Sequence, residues 1–283
     1  MTDQSATTAA TSTAPRLPLF YKALAPLHIE RHADWRLAQG DASFAAEAPY
    51  VPIVVGELAQ AARDYPIVFA AGDAQPIAIL GLERRNLFIE DGRWIADAYV
   101  PAYVRRYPFG FLATMEAGKD GPNGFALAID TGSDRVLQTG SDGAALFENG
   151  APSALTKQAL DFCNAFQAEA RDTMAFANAL REQNLLVDRR ADATLPDGRK
   201  LGLEGFQVID PAKYSQLPDE VVLEWHNNGY LPWINFHMAS LDRFTALLNR
   251  QALAVAVAPE SQAPASADPA AVPASTKSKK VAS

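Results

Sequence analysis

A chain of 283 residues with a formal charge of −8, 48% hydrophobic and 20% charged, has an ordinary globular balance rather than a disordered or fibrous one. The acidic balance excludes a nucleic-acid binder, because neutralising phosphates takes a surplus of Lys and Arg on one face. The basic runs are only pairs such as Arg84–Arg85 and Arg105–Arg106, and the one dense cluster, Lys277, Lys279 and Lys280, lies in a low-complexity tail.

Residues 1–16 are rich in Thr, Ala and Ser and are expected to be disordered. They lack the basic start and apolar run of a secretory signal, and no apolar stretch nears the roughly 20 residues that span a bilayer. A cytoplasmic location is therefore expected. A single cysteine, Cys163, makes no internal disulfide and implies no oxidising compartment.

The folded part is expected over 17–257, and its first half reads as strands. Val51–Val55 is a β-branched run, Leu58–Arg63 fits a short helix, and Pro66–Ala70 and Pro76–Leu82 are apolar runs parted by Gly72-Asp73. Asn86–Ile89 and Arg93–Ile95 flank Asp91-Gly92, a strong hairpin signal. Phe111–Met115 and Phe125–Ile129 follow, with Gly121–Gly124 as their turn. The period then changes to that of a helix: Leu155, Ala159, Phe162, Cys163, Phe166, Ala170, Met174, Ala177 and Leu180 form one stripe, with Ser153 as its N-cap. Leu185–Arg189 and Lys200–Leu203 flank a Pro196-Asp197-Gly198 turn, and Phe206–Ile209 reads as a further strand. Val221–Trp225 fits strand or helix. The last element, Ile234–Leu253, is helical, with Ile234, Met238, Leu241, Phe244 and Leu248 on one face. Residues 258–283, rich in Pro, Ala and Ser, are expected to be a disordered tail with a basic tip. Clustered strands with short turns and few helices predict an α+β fold, mostly antiparallel sheet with one long amphipathic helix and a C-terminal helix.

Four stretches stand in order along nearly all of the folded part: Phe20–Leu27 with His28 and His32 following, Asp64–Phe69, Tyr99–Phe109, and Asn228–Leu231 leading to His237–Leu241. Together they resemble the SapC family of bacterial proteins, the Tyr-Val-Pro-Ala-Tyr-Val-Arg-Arg-Tyr-Pro-Phe stretch most specifically. The resemblance implies one domain rather than two, a bacterial origin, and a link to the surface layer that the family's name carries. It brings no catalytic residue with it.

Four groups of residues are candidates for chemistry or binding. An apolar run enters Asp130-Thr131-Gly132-Ser133, which looks like the active-site loop of aspartic peptidases. Two like carboxylates close together cannot both ionise, and that mechanism needs the second one. No second such motif exists in the chain, so a homodimer would have to supply it; the competing reading is a strand ending in an Asx turn. His28 and His32, spaced i, i+4, are a candidate metal pair, without a Cys cluster or second paired motif to support them. Tyr99, Tyr103, Arg105, Arg106 and Tyr107 could hold a carboxylate or phosphate, or form a packed connector with Pro101 starting a short helix and Pro108 ending it. Trp225, Tyr230, Trp233 and Phe236 crowd one stretch, with His237 one turn before Leu241; such clusters serve interfaces, pockets or cores alike.

There is no phosphate-binding loop, dinucleotide fingerprint or His-Glu-x-x-His motif, and no cofactor is expected. The expected function is a non-enzymatic accessory or binding protein for an unknown protein or small-molecule partner. A peptidase-like hydrolase using Asp130 is the alternative.

Overall fold

The computed structural model describes residues 17–115, 122–195 and 198–257. The expected segments 1–16 and 258–283, Gly121 of one expected turn, and Pro196 and Asp197 of another lie outside the described residues.

The chain opens with β1 (Leu24–Pro26), a single helical turn α1 (Ile29–His32) and β2 (Arg36–Leu37). Then come β3 (Tyr50–Pro52), α2 (Leu58–Ala61), β4 (Ile67–Ala70) and β5 (Pro76–Ile79). The Asp91-Gly92 hairpin forms as β6 (Ile89–Glu90) and β7 (Arg93–Trp94). After α3 (Ala102–Arg105) the two longer apolar runs pair as β8 (Phe109–Met115) and β9 (Pro122–Asp130). Four two-residue strands follow: β10 (Val136–Leu137), β11 (Ala144–Ala145), β12 (Phe147–Glu148) and β13 (Ala151–Pro152). They lead into α4 (Ala154–Glu182), β14 (Leu186–Thr194) and β15 (Lys200–Ile209). Four helices close the described chain: α5 (Pro211–Tyr214), α6 (Asp219–Asn228), α7 (Tyr230–Ser240) and α8 (Arg243–Val257).

The fold is α+β with antiparallel sheets. The largest sheet has the order β14-β15-β4-β5-β3, every pair antiparallel. A second sheet, β1-β9-β8, joins the N-terminal strand to the middle of the chain through Leu24↔Asp130 and Ala25↔Ile129. A third, β10-β2-β11, covers its flank. The main core lies between the five-stranded sheet and α2, α6, α7, α8 and the second half of α4, with Tyr65, Phe69, Phe176 and Leu180 fully buried. A smaller cluster of Leu37, Phe109, Ile129, Val136, Leu146 and Cys163 packs under the first half of α4. No described helix is long and apolar enough to cross a membrane.

Where the structure departs from the periodicity, a hydrogen bond or a backbone feature accounts for it. Helix α4 begins as expected, with Ser153 Oγ accepting from Thr156 N at 3.3 Å. Its buried face, however, carries Thr173 and leaves Met174 62% exposed. Thr173 faces inward because its hydroxyl accepts from Val55 N (3.0 Å) and donates to Glu169 O (2.6 Å). The runs Lys200–Leu203 and Phe206–Ile209 form one strand, kinked where Arg189↔Phe206 gives way to Ala191↔Leu203. Gly205, at φ +79°, sits in that bulge, a conformation glycine adopts at little steric cost. Val221–Trp225 is helical, inside α6. The single C-terminal helix expected over Ile234–Leu253 is instead two. Ser240 Oγ donates to His237 O (2.6 Å) and accepts from Ile67 N (3.0 Å), fixing the end of α7. The buried face of α8 then restarts at Leu247 rather than Leu248.

Candidate ligand-binding cleft

The Tyr99–Phe109 segment is held at both ends. Glu57, itself buried, accepts from Ala102 N (2.5 Å) and Tyr99 Oη (2.8 Å) through Oε1 and from Val54 N (3.2 Å) through Oε2. Asp64 accepts from Tyr99 N at 2.9 Å. At the other end Phe109 enters β8, paired with Ile129. Between these anchors Pro101 starts α3, Arg106 caps its end, and the Tyr107–Pro108 peptide is cis. The tyrosines are structural on one side: Tyr103 Oη donates to Leu19 O (3.1 Å) and Tyr107 Oη to Asp130 Oδ2 (3.0 Å). Burial pushes the Tyr107 phenol up to about 12, the Ser133 hydroxyl opposing and the Asp130 carboxylate adding to the rise. Burial, then Glu57, likewise takes Tyr99 to about 12, so both stay neutral donors at ordinary pH.

Arg105 and Arg106 emerge from this rigid segment onto a cleft of about 240 Å³ that faces the first half of α4. Arg106 is sandwiched: its guanidinium carbon lies 4.2 Å from the Tyr103 ring centroid, 4.5 Å from Phe166 and 5.7 Å from Tyr21. Its Nε is buried and has no hydrogen-bond partner among the described residues. Arg105 is exposed, and bonds Val100 O (3.0 Å) and Tyr99 Oη (3.1 Å) while lying over Phe162 at 5.2 Å. A third cation, Arg135, completes the wall, bonding Ala38 O and Tyr107 O, each at 3.4 Å. Gly40 makes room for it, since a Cβ there would lie 2.4 Å from Arg135 Cδ. The opposite wall is Leu155, Ala159, Phe162 and Cys163 of α4, with Gln158 beside them. Burial lifts the Cys163 thiol to about 11 against the opposing pull of Arg106, so it is an uncharged, weakly nucleophilic group. The described lining carries three guanidinium groups and no carboxylate.

Asp130 is not in the lining of this cleft, although Tyr107 connects it to this region. Its side chain is fully buried and accepts four hydrogen bonds: from Ala23 N (2.7 Å), Lys22 N (3.0 Å), Gly132 N (3.1 Å) and Tyr107 Oη (3.0 Å). These bonds clamp β1 to the end of β9. A peptidase would instead need an oxygen facing water and a second carboxylate sharing its proton.

The aromatic stretch is not part of the cleft. Trp225 is buried, and Tyr230 stacks on Trp233 at 5.4 Å, both ringed around Phe176 in the second half of α4. Phe176 is 13 positions beyond Cys163 on the same helix, about 20 Å at 1.5 Å per residue. Phe236 is 37% exposed. His237 is fully enclosed, with Nε2 accepting from Ile209 N (3.1 Å) and Nδ1 at 2.9 Å from Ile67 O, which leaves neither nitrogen for a ligand. His32 is also buried. Its Nδ1 accepts from His28 N at 3.0 Å, its ring lies 4.2 Å from Trp35, and burial, with Arg31 and His28, lowers its pKa. Among the described residues no group of three or more His, Cys, Asp or Glu side chains is placed to hold a metal ion.

The sequence singles out Arg105 and Arg106, which the structure places on one cleft, but not Glu57 or Arg135. Neither carries a local motif; only Gly40, a small residue where a side chain passes close by, marks the position of Arg135.

An α+β protein with antiparallel sheets, a 29-residue helix and a small cationic cleft is the class that fold and site define. The SapC family model matches residues 27–247, and the chain belongs to the SapC family. No curated protein and no solved structure matches it.

Proposed function

We propose that this SapC-family protein is a non-enzymatic binding protein whose site is the cleft between the Tyr99–Phe109 segment and the first half of α4. One observation carries the reading: a segment pinned at both ends by Glu57, Asp64 and Phe109 presents Arg105 and Arg106 to a concave surface. Ligand sites are concave, mostly apolar and supplied with a few fixed polar groups, and this cleft has that composition. The groups that would serve catalysis are otherwise engaged, Asp130 by four donors and Cys163 by its protonated, buried state. The biological setting that fits the family name is an accessory role in bacterial envelope or surface-layer processes.

The test is mass spectrometry of small molecules and proteins carried through affinity purification from the native bacterium. The wild type is compared with Ala159→Trp, which fills the cleft, and with Trp233→Ala, which removes a ring that packs on Phe176 in the second half of α4 and lies outside the cleft lining. A compound or partner retained by the wild type and Trp233→Ala but lost from Ala159→Trp is the expected result. Identical eluates from all three would refute the assignment of the cleft.

A further inference from the structure

We infer that the cleft selects ligands with a single anionic head, a carboxylate or a phosphate monoester, attached to a small apolar body. The inference rests on the cleft being a ligand site and adds what that ligand must be.

Four arginines elsewhere in the molecule are ion-paired. Arg84 is within 3.7 Å of Glu47, Arg190 within 2.7 Å of Asp192 and 3.2 Å of Glu204, Arg199 within 2.9 Å of Glu83, and Arg250 within 4.0 Å of Glu90. The three arginines of the cleft make no such ion pair among the described residues, which is also true of Arg36 and Arg63; what sets the cleft apart is that three guanidinium groups line one concavity with no carboxylate in its described lining. Arg135 has the Asp41 carboxylate near it as an opposite charge; the adjacent Arg105 and Arg106 repel one another unless an anion joins them.

Arg106 adds direction. Its guanidinium lies over the Tyr103 and Phe166 rings, with the Tyr21 and Tyr103 hydroxyls also in reach of it. Its Nε is buried and without a protein acceptor among the described residues, a donor that an incoming oxygen could satisfy. The planar fork suits the two oxygens of a carboxylate or phosphate. Arg105 and Arg135 already spend Nε on backbone carbonyls and add charge rather than a free fork. Facing them, Leu155, Ala159 and Phe162 can bury only apolar atoms. At about 30 Å³ per water-sized volume, a cleft of about 240 Å³ admits a ligand on the order of ten non-hydrogen atoms.

The experiment is calorimetric titration of the full chain with benzoate, phenyl phosphate, inorganic phosphate and benzamide, the last a neutral counterpart of benzoate. Benzoate or phenyl phosphate should bind saturably and at least about tenfold more tightly than benzamide, since a charge-assisted fork is lost with the neutral head. The better of the two identifies the head group. Arg106→Gln and the exposed Arg105→Gln should each weaken the anion by about threefold or more, the larger loss at Arg106, and leave benzamide unaffected. Arg190→Gln, remote and paired with Asp192, should change nothing. Circular dichroism checks folding, and Arg105→Gln decides the matter if Arg106→Gln does not fold. Benzamide binding as tightly as benzoate would overturn the anionic head while leaving a ligand cleft in place. Failure of every anion to bind up to millimolar concentration would overturn the inference outright, and the purification comparison would then judge the cleft on its own.

Discussion

His237→Leu tests how the fold is closed. Strands β4 and β15 pair at Ala70↔Phe206 and Phe69↔Gln207, and continuing that register would set Ile67 opposite Ile209. The imidazole occupies that rung. Because Nε2 accepts from Ile209 N, the ring proton is on Nδ1 and is donated to Ile67 O. Protonation would aim a second donor at the Ile209 amide and place a charge in the core. Burial accordingly lowers the His237 pKa from 6.5 to about 4, the bond to Ile67 O opposing. A folded pKa below the unfolded one means that the unfolded chain binds the proton more readily. The stabilisation is therefore complete above pH 6.5 and is lost as pH falls towards 4, by about 3 kcal/mol. The assay is guanidinium unfolding at intervals from pH 7.5 to 4. At pH 7.5 the variant should lose about 1–3 kcal/mol for each backbone group left without a partner. Between pH 6.5 and 4 the gap between the two proteins should narrow by about 3 kcal/mol, since the variant has no imidazole to protonate. Stability curves that run parallel through this range would refute the account of His237 as a neutral rung.

Asp130→Ala strands the Lys22, Ala23 and Gly132 amides and the Tyr107 hydroxyl, so a loss of about 2–4 kcal/mol in denaturant midpoint stability is expected. Cys163, with its thiol at about 11, should react with iodoacetamide at pH 8 on the order of a hundredfold more slowly in the native protein than in denaturant, as read by intact mass. Gly205→Ala forces a side chain into φ +79° and should cost about 1–2 kcal/mol, measured by thermal unfolding.

The elements that could be read from the sequence are those whose causes are local. The Asp91-Gly92 turn, the Ser153 cap with the stripe behind it, and the apolar runs of β8 and β9 all lie within a few residues of what produces them. The unread features depend on distant partners. Nothing near Leu24 announces its pairing with Asp130, 106 positions away. Leu241 continues the apolar period of α7, yet the helix breaks there because Ser240 bonds the backbone of β4. Thr173 displaces Met174 from the interior for the same kind of reason, a hydroxyl answering an amide at Val55.

The cleft divides along the same line. Its charged edge was visible as two adjacent arginines among tyrosines, because one short segment carries both cations and two of the rings they lie over, Tyr99 and Tyr103. What makes that edge a site comes from far away: Glu57 sets the segment's position, Phe162 and Phe166 arrive on α4, and Arg135 arrives from the turn after β9. The aromatic stretch from Trp225 to His237 shows the reverse case. It has the composition of a binding surface, but α4 is long enough to meet it with Phe176, and the rings become core. Helix α4 thus decides both outcomes. Its second half supplies Phe176, which the aromatics bury; in its first half the small Ala159, between Leu155 and Phe162, leaves space in front of the arginines. One small side chain facing the arginines keeps the cleft open, which is why Ala159→Trp is the substitution that should close it.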